Sequence, residues 1–223
     1  MIVFPRDLPG TGAAKARFEL QRVDYLSPKS SGRLNSIAAG PPLWTGVWRL
    51  GTVGEARSEI WRAWITAQRG PQRQFYGRDV KRLMPYAYPL GFAGLNRAAG
   101  GGFDGTATAW SVDGTRSALS LMGLPAGLVL SVGDYVGFRW QTAGAERRAL
   151  QRLVEGAVAS ASGVLTVAVE PALPTFVPAG AAAYLNNPCC LMRLVPDQTS
   201  IGEYDRRGAV ADTVITGLQD LWP

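Results

Sequence analysis

A mainly β chain with one helix, an α+β fold in which a sheet-and-helix domain is split around an inserted small antiparallel β-barrel or sandwich, is predicted by three observations. A single stretch, 52–71, has helical periodicity bounded by start and stop signals. Elsewhere apolar residues alternate in short runs separated by Gly, Pro and Asp turns. A last extended run, 206–221, has nothing to pair with unless it returns to the first sheet. The expected domains are therefore 1–85 with 200–223, and 86–199 inserted between them.

The elements follow in order. Ala16, Phe18 and Leu20 alternate on one strand face, and Val23 and Tyr25 continue one residue out of phase, which implies a bulge or bend near Gln21 and Arg22. A polar loop at 27–36 comes next. Trp44, Trp48 and Leu50 then share one face of a second strand, with Thr45 and Arg49 on the other. Thr52 and Glu55 have the spacing of a capping box that starts a helix. Ala56, Ile60, Ala63, Trp64 and Ala67 form its predicted buried stripe, with Arg57, Glu59, Arg62 and Gln68 mostly facing water. Gly70 closes the helix in a left-handed conformation and Pro71 forbids its continuation, after which 72–76 is extended. Trp44, Trp48, Ile60 and Trp64 are the expected core of this domain.

From 86 to 103 the chain is rich in Gly, Ala and aromatics without a period, as in a long ordered loop, with Gly100, Gly101 and Gly102 read as a flexible joint. Strands are expected at 106–112, 117–121, 135–140, 148–154, 164–169 and 189–195. Turn signals such as Asp113-Gly114 and Gly133-Asp134 separate them. The terminal run 206–219 alternates Val210, Val214 and Thr216 with Ala211, Thr213 and Ile215.

Composition limits the chemistry. The chain has 223 residues, 47% hydrophobic and 18% charged, enough to bury one good core or two small ones. Its net charge of +6 and pI near 9.7 suit a polyanion, but the cations are scattered and the 27 glycines point to a GC-rich coding sequence. With no histidine, Ser-His-Asp and Cys-His nucleophile systems and His-ligated metals are excluded for this chain. The adjacent Cys189 and Cys190 lack zinc or redox spacing, and are expected to be one buried and one outward thiol on a strand. The carboxylates stand singly in turn-like contexts, which argues against an acid pair. No enzyme activity, cofactor or metal is therefore expected. No apolar run is long enough to span a membrane, and 1–12 lacks the features of a secretion signal, so synthesis and folding in the cytoplasm are expected.

Trp44-Thr45-Gly46-Val47-Trp48-Arg49-Leu50, the helix carrying Glu55-Ala56 and Ile60-Trp61-Arg62-Ala63-Trp64, and the run from Arg69 and Gly70 through Phe75 and Tyr76 resemble siphophage tail-tip proteins of the distal tail type. Val132-Gly133-Asp134-Tyr135-Val136, Val164-Leu165-Thr166-Val167, Glu170-Pro171-Ala172-Leu173 and Met192-Arg193-Leu194-Val195 resemble the second domain of that family. The resemblance covers roughly 40–220 and is one of order and texture. It implies a virion protein at the tail tip, assembled in the host cytoplasm. Its belt-like first domain would build a hexameric ring joining the tail tube protein to hub and fibre proteins. DNA would pass only in transit through the lumen, and the excess positive charge would face outward or towards a neighbouring subunit.

Interface candidates are the 27–42 loop, with Arg33 and Asn35, and the basic segment of Arg78, Lys81 and Arg82. The alternative is a glycan-binding module or carbohydrate-active tail protein with Trp110, Tyr135 and Trp140 as stacking platforms. Nucleic-acid binding would explain the charge, but no single stretch interleaves cations with aromatics.

Overall fold

The computed structural model describes residues 3–10, 13–206 and 210–221. In chain order, β1 (Lys15–Gln21), β2 (Asp24–Pro28), β3 (Leu34–Ala38) and β4 (Leu43–Arg49) precede helix α1 (Glu55–Gln68) and β5 (Gln74–Gly77). There follow β6 (Ala109–Val112), β7 (Ala118–Met122), β8 (Val129–Leu130), β9 (Tyr135–Thr142), β10 (Ala145–Leu153), β11 (Ala157–Val158), β12 (Leu165–Glu170) and β13 (Ala182–Tyr184). β14 (Cys190–Leu194) and β15 (Val214–Gln219) come last. The fold is mainly β with one α-helix. It divides into two compact units, Met1–Phe75 with Met192–Asp220, and Tyr76–Leu191 with Leu221–Pro223. No helix among the described residues is long and apolar enough to cross a membrane.

In the first unit a five-stranded sheet runs β1-β4-β15-β14-β5. β15, the last strand, lies between β4 and β14 and pairs antiparallel with both. β14, expected in the inserted domain, belongs to this sheet. The alternation on β4 is as expected: Trp44, Gly46 and Trp48 point into the core, and Phe18 stacks on Trp44 with centroids 5.2 Å apart. Trp48 meets Phe75 edge-on at 6.0 Å, and Trp64 meets the same ring at 5.2 Å. The phase slip at Gln21 and Arg22 falls where β1 ends and β2 begins.

The helix differs from its expected form at two points. Its N-cap is Gly54, with no side-chain capping bond, because Val53 exchanges two 2.8 Å backbone hydrogen bonds with Val210 and so holds 52–53 extended. A distant strand overrides the capping box. The buried face is Ser58, Trp61, Trp64 and Gln68, whereas Ile60 is half exposed. Trp64 is shared by the expected and observed faces, and burying Trp61 beside it covers more apolar surface than burying Ile60, so the second indole sets the rotation of the helix. The helix ends at Gln68. Arg69 takes the left-handed conformation at φ 54°, and Gly70 and Pro71 turn the chain into β5.

The second unit is built on a six-stranded antiparallel sheet, β13-β9-β10-β12-β7-β6, with β8 and β11 as a separate pair. Leu119 and Leu121 on β7, Leu165, Val167 and Val169 on β12, and Val136 and Phe138 on β9 fill its core. A closed barrel is not formed. Among the described residues, the edges β13 and β6 have no shared ladder. The chain before β6 meets β13 and the residue after it through the isolated Thr106–Tyr184 bridge, the Ala107 amide on the Ala183 carbonyl and the Leu185 amide on the Gly105 carbonyl. The 86–103 stretch is an ordered loop with Phe92 against Phe103 at 4.9 Å. Gly100 and Gly101, read from the sequence as a flexible joint, both have positive φ in a turn closed by Arg97 N–H on Gly101 O and by Gly100 N–H on Arg97 O.

Candidate interaction surface

The most unusual feature of the surface is the hairpin of β2 and β3, which occupies most of the expected polar loop. The two strands pair from Asp24–Ala38 to Pro28–Leu34. The turn is closed by Lys29 N–H on Arg33 O and Gly32 N–H on Lys29 O, with Gly32 at φ 76°. Every residue from 21 to 41 is exposed. Among them are Val23, Tyr25, Leu26, Leu34 and Ile37, with Ile37 71% and Tyr25 68% exposed. Directly paired residues share a face of a two-stranded ribbon. One face therefore carries Tyr25 with Ile37, beside Val23 and Ala39, and the other carries Leu26, Pro28, Leu34 and Ala38. Each face is largely apolar, with Ser27 and Asn35 on the first and Asp24 and Ser36 on the second, and within this unit neither is covered. Arg33 and Asn35 sit at the turn end of this ribbon, both exposed.

Sequence reasoning had the start of β2 at Val23 and Tyr25 but missed β3 and the hairpin, because Ser, Lys, Gly and Asn dominate its tip. Tyr25 and Ile37, placed symmetrically about a Gly-containing turn, were the available signal.

The basic segment 78–82 separates into different roles. Lys81 is exposed, with its backbone amide on the Asp79 carboxylate. Arg82 is structural: its guanidinium donates at 3.0 Å to Asp134, which is fully buried, and lies 4.9 Å over the Tyr86 ring. The same carboxylate accepts the amides of Tyr86 and Ser131. Arg78 is half-buried and engaged in contacts of its own.

Replacing Arg82 by Ala leaves a buried carboxylate short of its cation and is expected to lower stability by roughly 3 kcal/mol. Lys81→Ala is expected to stay within about 0.5 kcal/mol. Urea unfolding midpoints of the two variants will separate these roles; equal, negligible losses would assign Arg82 to the surface instead.

The three aromatics considered as sugar platforms have little free ring face. Tyr135 and Trp140 are buried, at 3% and 9% exposure. Trp110 is half-buried, packs edge-on against Phe138 at 5.0 Å, and donates its indole N–H to Ala181 O. All three serve the packing of the second unit.

The cysteines also depart from expectation, since both thiols are free and buried. Cys189 Sγ lies 2.9 Å from the Arg148 guanidinium and near the Tyr184 hydroxyl, while Cys190 Sγ donates to Gly77 O. Burial pushes the Cys190 thiol well above its ordinary value. Arg148 also binds Glu146, which accepts from the Tyr76 hydroxyl, so this set forms a satisfied structural network.

Three further carboxylates are occupied by local structure. Asp113 accepts from the amides of Ser117 and Ala118 and from the Thr115 hydroxyl, and that last bond chiefly holds its pKa down. Asp104 pairs with Arg97, and Glu155 accepts from the Ala168 amide. Among the described residues, no cluster of three or more Cys, Asp or Glu is arranged to hold a metal ion. Compared with known proteins, the sequence matches no family model and no curated relative.

Proposed function

We propose that this chain is a structural, self-associating component of a siphophage tail tip, of the distal tail type, forming a ring that joins the tail tube to the hub and host-recognition fibres. The observation that carries the reading is the β2–β3 hairpin, exposed throughout and with large apolar side chains on both faces. An isolated two-stranded ribbon is marginal in water, and an uncovered apolar patch of this kind marks a contact surface. An arm on one copy that seats on a different surface of the next makes a heterologous contact, and such contacts close into a ring when the rotation per copy divides a full turn. The resemblance in residue order described above supports the same reading, with DNA passing only in transit. The ring would be hexameric and would lie at the virion tail tip.

The test is the assembly state of the intact chain. Native mass spectrometry and electron microscopy at raised concentration should show closed rings. The variant Tyr25→Ser with Ile37→Ser should remain monomeric with an unchanged melting temperature, because neither side chain is buried in the single copy. Rings formed equally well by that variant would remove the hairpin from the interface. A wild-type chain that stays monomeric both alone and with purified tail tubes would sink the ring adaptor itself.

A further inference from the structure

The outward face of the first sheet carries a second feature, independent of the hairpin. Burial alternates along β4, with Trp44 and Trp48 in the core and Val47 and Arg49 on the outer face, and the pairing register places Phe18 and Ile215 with the former and Lys15, Arg17, Val214 and Thr216 with the latter, Thr216 being covered there by the 198–200 segment. The pairing register then fixes rows across this outer face. Lys15 lies opposite Arg49, which lies opposite Val214; Arg17 lies opposite Val47, which lies opposite Thr216.

Two cations are thus direct cross-strand neighbours, an arrangement that is unfavourable unless an anion lies between them. A third cation stands two residues along the same strand, about 7 Å away. Lys15, Arg17 and Arg49 are all exposed. None has an ion-pair partner among the described residues, although Glu19, Asp197 and Asp212 belong to the same unit.

These side chains surround a groove of about 410 Å³ lined by Val47, Val214, Thr216 and Gln198 as well as the cations. One wall is held in place. The Thr216 hydroxyl donates to Gln198 O, and Ser200 exchanges two backbone hydrogen bonds with Val214. The groove has a fixed apolar floor, a polar wall and an unneutralised cationic rim.

We propose that this groove binds the phosphodiester backbone of nucleic acid, without regard to base sequence. Guanidinium groups such as those of Arg17 and Arg49 match phosphate oxygens in a two-pronged geometry, and Lys15 adds a point charge. Among the described residues no aromatic ring lines the groove, so the bases find no stacking platform there and recognition stops at the phosphates. A protein partner fits less well. The floor offers only two half-buried valines, far from the apolar centre that protein interfaces need. The assignment does not rest on ring formation, since all of the residues belong to one copy.

Fluorescence anisotropy of the intact chain with a labelled short duplex DNA, over a salt series from about 50 to 200 mM, tests this. The wild type should bind at low salt with a steep salt dependence, equally for unrelated sequences. The triple variant Lys15→Ser, Arg17→Ser, Arg49→Ser should bind at least about tenfold more weakly, with the log–log salt slope reduced by roughly 3, since each phosphate contact contributes close to one. A control that removes the same charge elsewhere, at the exposed Arg139→Ser with Arg152→Ser and Arg206→Ser, should retain most of the affinity and slope. Should the triple variant misfold, Arg49→Gln alone should reduce the slope by about one. Absent binding by the wild type, equal losses in the two triple variants, or displacement of DNA by a polyglutamate peptide at matched charge would each overturn the proposal.

Discussion

Truncating the chain before Val214 will abolish folding of the first unit, although the deleted residues are few and lie at the far end of the sequence. β15 is the middle strand of its sheet, hydrogen-bonded to β4 on one side and β14 on the other. Without it the five-stranded sheet falls into two separate two-stranded pieces, β1 with β4 and β14 with β5. Neither size is stable on its own in water. The truncation also removes Ile215, which is fully buried, and the Gln219 carboxamide oxygen that accepts the buried Trp44 amide. Asp220, which accepts from both Gln74 and Arg193, goes with it. The readout is near-ultraviolet circular dichroism: Trp44, Trp48, Trp61 and Trp64 are all packed in this unit and should lose their fixed environment. A truncated chain that keeps that signal and melts cooperatively at the wild-type temperature would disprove the role given to β15.

Gly46→Ala is expected to destabilise the same unit by about 3 kcal/mol, at the upper end of the usual range for overpacking. A Cβ at Gly46 would fall 2.1 Å from Cη2 of Trp48 and 2.6 Å from its Cζ2. The indole lies directly over the glycine and has nowhere to go, because it is itself 1% exposed and set edge-on against Phe75. The register partner of Gly46, Gly217, is covered in the same manner, with Phe75 Cζ 2.6 Å from the position of its missing Cβ. Two glycines side by side in the sheet thus make room for two aromatic rings. Backbone conformation is not the cause, since neither residue has a positive φ. Urea unfolding of Gly46→Ala, of Gly102→Ala, where a Cβ meets nothing within 4 Å, and of Gly46→Ala combined with Trp48→Leu checks this. The Gly102 change should be nearly silent, and the double variant should lose less than the sum of its parts. Strict additivity would mean that the ring and the glycine do not compete for space.

Much of the local structure was legible in the residues. Alternation along β1 and β4, the phase slip at Gln21 and Arg22, the helix stop at Gly70 and Pro71, and most strands of the second unit follow from nearest-neighbour chemistry. The failures share one origin, competition from a distant part of the chain. Thr52 has the spacing to cap the helix, but Val53 is held extended by Val210. The stripe of Ile60 and Trp64 has the right period, but Trp61 has more surface to bury than Ile60 and turns the helix towards its own side. Cys189 looked like an alternating strand residue, but Arg148 holds its thiol inside. The candidate surfaces were less visible still. The hairpin reads as a polar loop because its tip is polar.

By itself, the sequence determined the mainly β class with its single helix, the absence of histidine chemistry from this chain, and where turns interrupt the strands. These depend on backbone propensity and residue identity, which act over a few residues. Only the tertiary structure decided which strands are neighbours, and with that the central place of β15, the face that α1 buries, and the gathering of Lys15, Arg17 and Arg49 around one groove. The reason is that strand register sets side chains beside each other across any sequence distance, and no local pattern encodes the partner. Cations that look scattered along the chain become adjacent once β1 and β4 are zipped together.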